Sequence, residues 1–226
     1  DIHHLEQFYY TFDQIKNRRY DGMIITGAPL DYVPCEETLY WDEVCKIMEW
    51  SKTHVHCTFH LCWGAYAGLY YHYGIEKLDM PKKLFGIYSH EIRKETSPLF
   101  RGFNDNFLAP HSRATDVRLS DVEAIPELEV MAVTETGSLA IAKTTDSRQF
   151  FVTCHAEYDR DTLALEYERD MKKGLTTVDV PVNYYPDNDP TKVPPITWRA
   201  TGQLLYSNWL NFYVYQSTPY DIEEIN

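Results

Sequence analysis

The sequence predicts an α/β fold with a mainly parallel sheet and helices on both faces. Short apolar runs that end near glycine or proline alternate with segments whose apolar residues recur at helical spacing. Parallel strands need crossover connections that a helix usually supplies, so this alternation favours a parallel sheet covered on both sides. Sites in such sheets collect at the carboxyl ends of the strands, which directs attention to the residues that follow each predicted strand.

The predicted elements follow in regular order along the chain. An amphipathic helix comes first, a strand ended by Gly27 and Pro29 comes second, and another helix precedes a histidine-rich strand. Shorter strands fill the middle of the chain, and Gly174 ends a helix that follows the last strong strand. The predicted ranges are helix 5–15, strand 20–29, helix 40–48, strand 54–62, a helix from residue 64, strands 84–88, 128–133, 139–143 and 148–154, helix 163–171, a surface loop 176–199 and helix 203–216.

The composition argues against several kinds of partner. The chain has 226 residues, of which 34 are acidic and 21 basic, for a net charge of −13. Without a stripe of lysine and arginine, this charge disfavours nucleic acid and anionic membranes. No apolar run reaches the length of a membrane span, and the first residues lack the basic and apolar segments of a signal peptide. Five cysteines, an odd number at low density, are typical of a reducing compartment, so we expect a single cytoplasmic domain.

Three histidines in the strand 54–62 raise the question of a metal site. His54, His56, His60 and Cys62 share a parity and would point to one face of the strand. Alternate residues on a strand lie about 7 Å apart, so the outer members of this set cannot share one ion. No C-x-x-C or H-E-x-x-H motif accompanies them. We therefore predict hydrogen-bonded strand histidines and no metal.

Cys62 ends this strand and is followed by small residues at Gly64, Ala65, Ala67 and Gly68. Small residues after a strand-end nucleophile let the next helix approach the strand closely, as in a nucleophile elbow. The thiol would then lie at a helix N-terminus, whose partial positive charge favours the thiolate. A buried structural cysteine is the competing interpretation, and the elbow pattern alone does not exclude it.

A second strand-end motif supplies a partner for this cysteine. His155 follows the strand 148–154, and Glu157 lies two residues further on. In a parallel sheet both would reach the same edge as Cys62, which provides the nucleophile, base and orienting carboxylate of acyl transfer. Cys154 lies inside the strand, and we expect it to pack in the core.

Seven segments distributed along the chain carry a family resemblance. They are MIITGAPLDYV, FHLCWGAYAGLYYHYGI, KKLFGIY, RGFNDNFLAPHSR, FVTCHAEYD, VNYYPDNDP and NWLNFYVYQSTPYD. Together they resemble the homoserine O-acyltransferase family of methionine biosynthesis, often called homoserine transsuccinylases. The resemblance implies a class I glutamine amidotransferase-like, flavodoxin-like fold and the transfer of an acyl group from acyl-CoA to homoserine through a cysteine thioester. It also implies small-molecule substrates, with acyl-CoA as cosubstrate and no bound cofactor.

Matched position by position, the resemblance assigns roles to residues of this chain. It makes Cys62 the acylated nucleophile, His155 the general base and Glu157 the residue that orients the base. The oxyanion would bind backbone N–H groups of Trp63 and of the TGAP loop. An arginine suits a substrate carboxylate because its guanidinium can bind the carboxylate bidentately. The implied substrate contacts are Lys83, Ser112 and Arg169.

Asp31 occupies the position that the resemblance links to the choice of acyl donor. In the family, glycine here goes with succinyl and glutamate with acetyl. A carboxylate would repel the free carboxylate of a succinyl group in a shielded pocket and would fill the space that the group needs. We therefore expect acetyl-CoA as the donor. Succinyl-CoA, with Asp31 as an ordinary turn residue, is the alternative.

Five positions depart from the family pattern. Tyr66 stands in place of glutamine, Cys154 and Ala156 replace glycine and proline around the base, and Ala200 and Thr201 replace a serine–histidine pair. We expect these changes to surround the acceptor, which leaves serine open as an alternative acceptor to homoserine. The product would then feed cysteine rather than methionine synthesis.

Two alternatives from other functional classes remain open. A Cys–His–Glu arrangement on this fold suits hydrolysis of glutamine as well as acyl transfer. A binding module with a structural cysteine is the other alternative. By the resemblance, residues 1–226 form one acyltransferase domain that lacks the family's N-terminal portion, and the aromatic C-terminal helix suggests a homodimer.

Overall fold

A computed structural model describes residue 4, residues 7–174 and residues 179–226 of the chain. The strands of this part are β1 Tyr20–Ile25, β2 Val55–Leu61, β3 Leu78–Ile92, β4 Asn106–Asp116, β5 Leu128–Thr134, β6 Leu139–Thr144 and β7 Gln149–Val152. They form one sheet in the order β1-β2-β7-β6-β5-β3-β4. The chain therefore builds an α/β domain around a central sheet, which confirms the predicted class.

Most of the helices fall on predicted segments, but the helix Leu119–Glu123 was not predicted. They are α1 Phe12–Ile15, α2 Trp41–His54, α3 Trp63–Tyr73, α4 Leu119–Glu123, α5 Thr162–Lys172 and α6 Arg199–Asn208, with π-helical turns over Trp209–Tyr215. The first predicted helix is much shorter in the described residues, and Leu5 lies outside them. Among the helices of the described ranges, none combines the length and the apolar character that a membrane span requires.

The sheet is mixed, which corrects the expectation that it is mainly parallel. β1, β2 and β7 run parallel to one another, and the remaining neighbours pair antiparallel. The connections explain the difference, because four residues join β5 to β6 and four join β6 to β7. Connections this short can only join antiparallel strands, whereas the helices α2 and α3 flank the strands of the parallel part.

Strand β4 was not predicted from the sequence. Pro110 lies within it, and its buried side chains include the polar His111 and Arg113. Proline and charged residues argue against a strand in a sequence pattern, but proline is tolerated on an edge strand, where its missing N–H breaks no ladder. β4 is an edge strand of this sheet, and Nε of Arg113 donates to Nδ1 of His111 at 3.2 Å.

Helices cover both faces of the sheet, as predicted. On one face, Phe59 and Phe150 pack against Trp209 and Tyr213 of the C-terminal helical segment. On the other face, α3 packs against Phe151. Neighbouring strand residues point to opposite faces, and full burial of one phenylalanine stabilises the fold by about 1.5–3 kcal/mol. The two adjacent phenylalanines of β7 therefore hold both helical layers to the part of the sheet that carries the site.

The loop predicted over 176–199 is more buried than expected. Residues 175–178 lie outside the described residues, but Tyr184, Tyr185 and Trp198 are buried in a small apolar cluster with Leu163 of α5. Aromatic residues in a proline-rich segment are the signal for this packing, because full burial of such side chains stabilises the segment that carries them. The loop thus fixes the position of α5.

Candidate active site

Cys62 lies at the junction of β2 and α3 in a strained backbone conformation. Its φ is 53° and its ψ is −117°, a combination that costs a residue other than glycine about 1–3 kcal/mol. Its N–H donates to the carbonyl oxygen of Val152 at 2.8 Å, which fixes the turn to the neighbouring strand. A Cβ at Gly64 would meet the carbonyl oxygen of Ile25 at 2.6 Å, so glycine is needed where α3 begins. The chain thus forms the sharp turn of a nucleophile elbow, as the sequence predicts.

The TGAP loop, residues 26–29, passes directly beside the cysteine. A Cβ at Gly27 would lie 2.9 Å from Cβ of Cys62 and 3.4 Å from its sulfur, so glycine permits this close approach. Trp63 is the first residue of α3, and the first N–H groups of a helix have no partner within it. The Trp63 side chain is buried against Tyr40, so its backbone N–H is the group it can offer to an oxyanion.

His155 and Glu157 reach this edge of the sheet because β2 and β7 run parallel. The register pairs Leu61 with Val152, so the chain leaves both strands at the same level. Nδ1 of His155 lies 2.7 Å from Oε1 of Glu157. Because Nδ1 is engaged, Nε2 is the ring nitrogen left to interact with Cys62, which lines the same cavity. The three side chains of the two strand-end motifs therefore come together.

The surroundings of His155 favour its protonated form. Burial alone would lower its pKa, but hydrogen bonds and charges from Cys62 and Glu157 outweigh burial and raise the pKa of His155 to about 10. The hydroxyl of Tyr206 donates to Oε2 of Glu157 at 3.4 Å, which engages the second carboxylate oxygen. The site thus holds a proton on the imidazole that faces the sulfur, the arrangement that a thiolate nucleophile needs.

A cavity of about 500 Å³ adjoins Cys62. Its volume lies in the range of small-molecule sites. Trp63 does not line it with its side chain, which is consistent with a role for its backbone alone. The predicted site residues that line this cavity are Asp31, Cys62, Lys83, Ser112, His155, Glu157 and Arg169.

One wall of the cavity carries a cluster of two cations and one carboxylate. Nε of Arg169 lies 2.8 Å from Oδ1 of Asp170, and Nζ of Lys83 lies 3.4 Å from Oδ2 of the same carboxylate. Burial opposes ionisation of Asp170, but its bonds to the two cations hold the pKa of this carboxyl below its usual range. The cluster keeps one net positive charge, which suits an anionic group of a substrate.

Sequence patterns did not identify two further residues of the cavity, Tyr158 and Glu166. Glu166 accepts hydrogen bonds from the hydroxyl of Ser112 and, at 2.7 Å, from that of Tyr158. It lies three residues before Arg169 on α5, so the two side chains project from neighbouring turns of one helix face. That spacing is visible in the sequence, but it is common on solvated helices and does not by itself point to Cys62.

Asp31 is held at the cavity wall from two directions. Its Oδ1 accepts hydrogen bonds from the N–H of Ala114 at 3.2 Å and from the hydroxyl of Thr115 at 3.3 Å. Nζ of Lys77 donates to three carbonyl oxygens of the loop 30–33 at 2.8, 2.5 and 3.0 Å. The loop and the carboxylate are therefore fixed in place rather than free to withdraw.

Cys57, Cys154 and His60 lie in the packed interior, whereas His54 ends α2 and is not a strand residue, contrary to the prediction. Burial raises the pKa of Cys57 and of Cys154 to about 12. Cys154 is fully buried, which confirms that it packs in the core. His60 is also buried, with Nδ1 3.0 Å from the carbonyl oxygen of Phe150. Within the ranges that the structure describes, no group of three or more His, Cys, Asp or Glu side chains is arranged to hold a metal ion.

The five positions that depart from the family pattern differ in burial: Tyr66, Cys154 and Ala156 are buried, whereas Ala200 is exposed and Thr201 is half-buried. The guanidinium of Arg113 lies 6.0 Å from the centre of the Tyr66 ring. That these changes surround the acceptor therefore stays a prediction. The five residues absent from the cavity lining are Tyr66, Cys154, Ala156, Ala200 and Thr201.

Solved structures share this fold at low sequence identity. A glutamine amidotransferase from Thermotoga maritima superposes with a TM-score of 0.58 at 14% identity, covering 83% of this chain and 76% of that one. A glutamine amidotransferase from Methylobacillus flagellatus gives a TM-score of 0.58 at 12% identity, covering 84% and 76%. The fold therefore defines an α/β protein of the class I glutamine amidotransferase type.

Sequence relatives narrow the class to one family. The homoserine O-succinyltransferase family matches residues 1–220, and the chain belongs to this family. A homoserine O-acetyltransferase of Agathobacter rectalis is 56% identical over 220 residues, which cover 97% of this chain and 71% of the relative. A homoserine O-acetyltransferase of Thermotoga neapolitana is 52% identical over 225 residues, which cover 100% and 73%. The chain is thus a member of a family of acyl-CoA-dependent O-acyltransferases.

Proposed function

We propose that the protein transfers an acetyl group from acetyl-CoA to the side-chain hydroxyl of homoserine through a thioester on Cys62. One observation carries the proposal: a single cavity joins Cys62 and His155 to a wall of opposite charges on α5. The names of the relatives agree with the donor and the acceptor.

The first half-reaction loads the cysteine. The Cys62 sulfur attacks the carbonyl carbon of acetyl-CoA, and the oxyanion that forms accepts hydrogen bonds from the N–H of Trp63 and of the TGAP loop. The bond from carbon to the CoA sulfur then breaks, and CoA takes the proton held by His155 and leaves as a thiol. The acetyl group remains on Cys62, and the imidazole is neutral.

The second half-reaction transfers the acetyl group from Cys62 to homoserine. Neutral His155, oriented by Glu157, takes the proton of the homoserine hydroxyl as the oxygen attacks the thioester carbon. The bond from carbon to the Cys62 sulfur breaks and releases O-acetylhomoserine. The imidazole again carries a proton opposite the sulfur, which is the state that the raised pKa of His155 favours.

The acceptor is recognised as a zwitterion. An amino acid presents a carboxylate and an ammonium group on one carbon, so its site needs a cation and an anion close together. Arg169 and Glu166 supply them from adjacent turns of α5, and Lys83 reinforces the positive side. The hydroxyl of Ser112 holds the Glu166 carboxylate in place.

The donor is selected by Asp31. Its carboxylate lines the cavity together with Cys62, and the backbone of β4 holds it there. Succinyl-CoA would bring a second carboxylate into this space, where like charges repel strongly because little water screens them. Acetyl-CoA carries no such group.

Several broader properties belong to the same proposal. The product is a precursor of methionine, the enzyme works in the cytoplasm and uses acyl-CoA without a bound cofactor, and residues 1–226 act as one acyltransferase domain. The proposal also includes a homodimer, formed through the aromatic C-terminal helical segment. Leu210 and Tyr215 are exposed in this segment.

A CoA-release assay that crosses acetyl-CoA and succinyl-CoA with homoserine and serine tests the function. We expect release with acetyl-CoA and homoserine to exceed every other pair by about tenfold or more, the discrimination typical of a charged or hydrogen-bonded site. Faster CoA release with serine than with homoserine would identify serine as the acceptor. Ammonia formed from glutamine without CoA would identify an amidohydrolase, and no turnover in any arm would favour a binding module.

A further inference from the structure

Tyr158 contacts both the base and the carboxylate of the acceptor site. Its ring stacks on the imidazole of His155, with ring centres 4.2 Å apart and planes inclined by 23°. Its hydroxyl donates to Oε1 of Glu166 at 2.7 Å. Its carbonyl oxygen accepts a hydrogen bond from Nε1 of Trp198 at 2.8 Å, which anchors this stretch to a buried residue. One side chain thus connects two groups that the reaction uses at different stages.

The stacked ring restrains the imidazole of His155. The hydrogen bond from Nδ1 to Glu157 holds one edge of the imidazole, but rotation about that bond stays possible. A ring lying flat on one face blocks this rotation and keeps Nε2 directed at Cys62. The electron-rich face of tyrosine also stabilises the protonated imidazole that this site favours.

The hydroxyl restrains Glu166. Oε1 accepts from Tyr158 and Oε2 from Ser112, so each oxygen of the carboxylate has one donor. An ionised carboxylate has about four acceptor positions, which leaves others free for an ammonium group. Burial and the charge of Glu166 raise the pKa of Tyr158, so this hydroxyl keeps its proton and remains a donor.

We propose that Tyr158 is a positioning residue whose ring aligns the base for thioester formation and whose hydroxyl aligns Glu166 for binding of the acceptor amine. This inference rests on the proposed acyl transfer and extends it, because it divides one side chain between the two half-reactions. The division is testable, since phenylalanine keeps the ring and loses the hydroxyl, whereas leucine loses both.

The test compares Tyr158→Phe and Tyr158→Leu with the wild type in two measurements. The first is the burst of CoA released from acetyl-CoA without acceptor, and the second is KM for homoserine at steady state. Tyr158→Phe should leave the burst rate unchanged and raise KM by about tenfold, the effect of losing one hydrogen bond to a charged group. Tyr158→Leu should raise KM similarly and also slow the burst by about tenfold or more, because a loosened base is misaligned.

Tyr167→Phe is the matched control, because it removes a hydroxyl from the residue next to Glu166 without touching the cavity lining. It should change neither the burst nor KM. An unchanged KM in Tyr158→Phe, or equal burst rates in Tyr158→Leu and the wild type, would overturn the assignment. Thermal unfolding of each variant shows whether a loss of activity is a loss of fold.

Failure of the proposed function would look different. In that case the wild type itself gives no burst with acetyl-CoA, and the role of the ring is decided by the rate at which iodoacetamide alkylates Cys62. Slower alkylation in Tyr158→Leu but not in Tyr158→Phe would still support alignment of His155 by the ring. Equal rates in both variants would overturn it.

Discussion

The parallel and antiparallel parts of the sheet contribute different groups to one cavity. Strands β1, β2 and β7 run parallel, and the residues that follow them are the TGAP loop, Cys62 and the motif of His155 and Glu157. The antiparallel strands β3 and β4 contribute Lys83 and Ser112 from positions inside the strands. In the proposed reaction, the first part carries the groups that make and break bonds, and the second helps to carry the groups that bind.

This difference has a physical origin. Parallel strands end at a common edge, so three loops meet there and can place reactive groups at fixed distances. In an antiparallel pair, side chains of one face form a wall along the strands, which suits contacts to a bound molecule. If the parts are separable in function, variants of the parallel part should impair CoA release itself. Variants of the binding wall should impair use of the acceptor or the choice of donor.

The largest effect is expected at the elbow. Cys62→Ala removes the sulfur that accepts the acetyl group, so turnover should fall by at least about 1000-fold, as when other covalent nucleophiles are removed. The fall in turnover is measured as the rate of CoA release in the presence of acetyl-CoA and homoserine. Cys45→Ala, on α2 and outside the cavity, is the matched control and should keep full activity. Turnover that survives Cys62→Ala would show that the parallel part does not carry the chemistry.

The binding wall should give a smaller effect of a different kind. Arg169→Met should raise KM for homoserine by about 10- to 100-fold, because a charge-assisted contact to the substrate carboxylate is lost. The burst of CoA without acceptor should not change. Arg169→Lys should restore part of the affinity, since a lysine keeps the charge but not the bidentate geometry. Lys172→Met, one turn further along α5, is the control, because its side chain is 80% exposed and does not line the cavity.

A reduced burst in Arg169→Met would contradict the separation of the two parts. It would mean that Arg169 also affects the reactivity of Cys62. Catalysis and binding would then divide between individual residues and not between the two parts of the sheet.

Asp31 tests the boundary between the two parts, because it follows β1 and is held by β4. Asp31→Asn removes the charge and keeps the size and a hydrogen-bond acceptor, whereas Asp31→Gly also opens the space. We expect the ratio of succinyl-CoA to acetyl-CoA turnover to rise by about tenfold in Asp31→Asn and further in Asp31→Gly. A rise in Asp31→Gly alone would mean that space, not charge, selects the donor. An unchanged ratio in both variants would show that Asp31 does not select the donor.

The smallest effect is on stability, through His155. Its pKa in the folded protein is raised from 6.5 to about 10, so the folded state binds its proton more tightly than the unfolded state. The resulting stabilisation is complete below about pH 6.5 and is lost as pH rises towards about 10. The free energy of unfolding of the wild type should therefore exceed that of His155→Gln most at the low end of this window. Urea titrations at several pH values measure the difference, and a constant difference would contradict the proton assignment.

Much of the fold was predictable because its signals are local. α2 and α5 were predicted from apolar spacing, and α3 from the small residues that follow Cys62. All three helices begin within about one residue of the predicted start, but α2 continues to His54, whereas its predicted range ends at residue 48. β4 was missed because Pro110 and buried polar residues such as Arg113 conceal the pattern of a strand. Arg113 is buried with hydrogen bonds to partners distant in sequence, including the carbonyl oxygen of Leu139, which a local pattern cannot contain.

The residues of the candidate site also divide into those that local sequence predicted and those that it did not. Cys62, His155 and Glu157 were predictable because Cys62 follows β2 and the other two follow β7, each within a few residues of the strand end. Glu166 and Tyr158 were not predictable, because their place in the site depends on hydrogen bonds made across the cavity. Nor could the sequence place Tyr66, whose burial depends on how α3 packs.

By itself the sequence determined the α/β class, the elbow at Cys62, the His155 motif and the family, because backbone conformation and side-chain spacing are set over short stretches of chain. Tertiary structure alone decided the order and direction of the strands, the union of seven predicted residues in one cavity and the exclusion of the divergent positions from it. Those outcomes depend on which surfaces pack together, and packing is a property of the whole chain rather than of any segment.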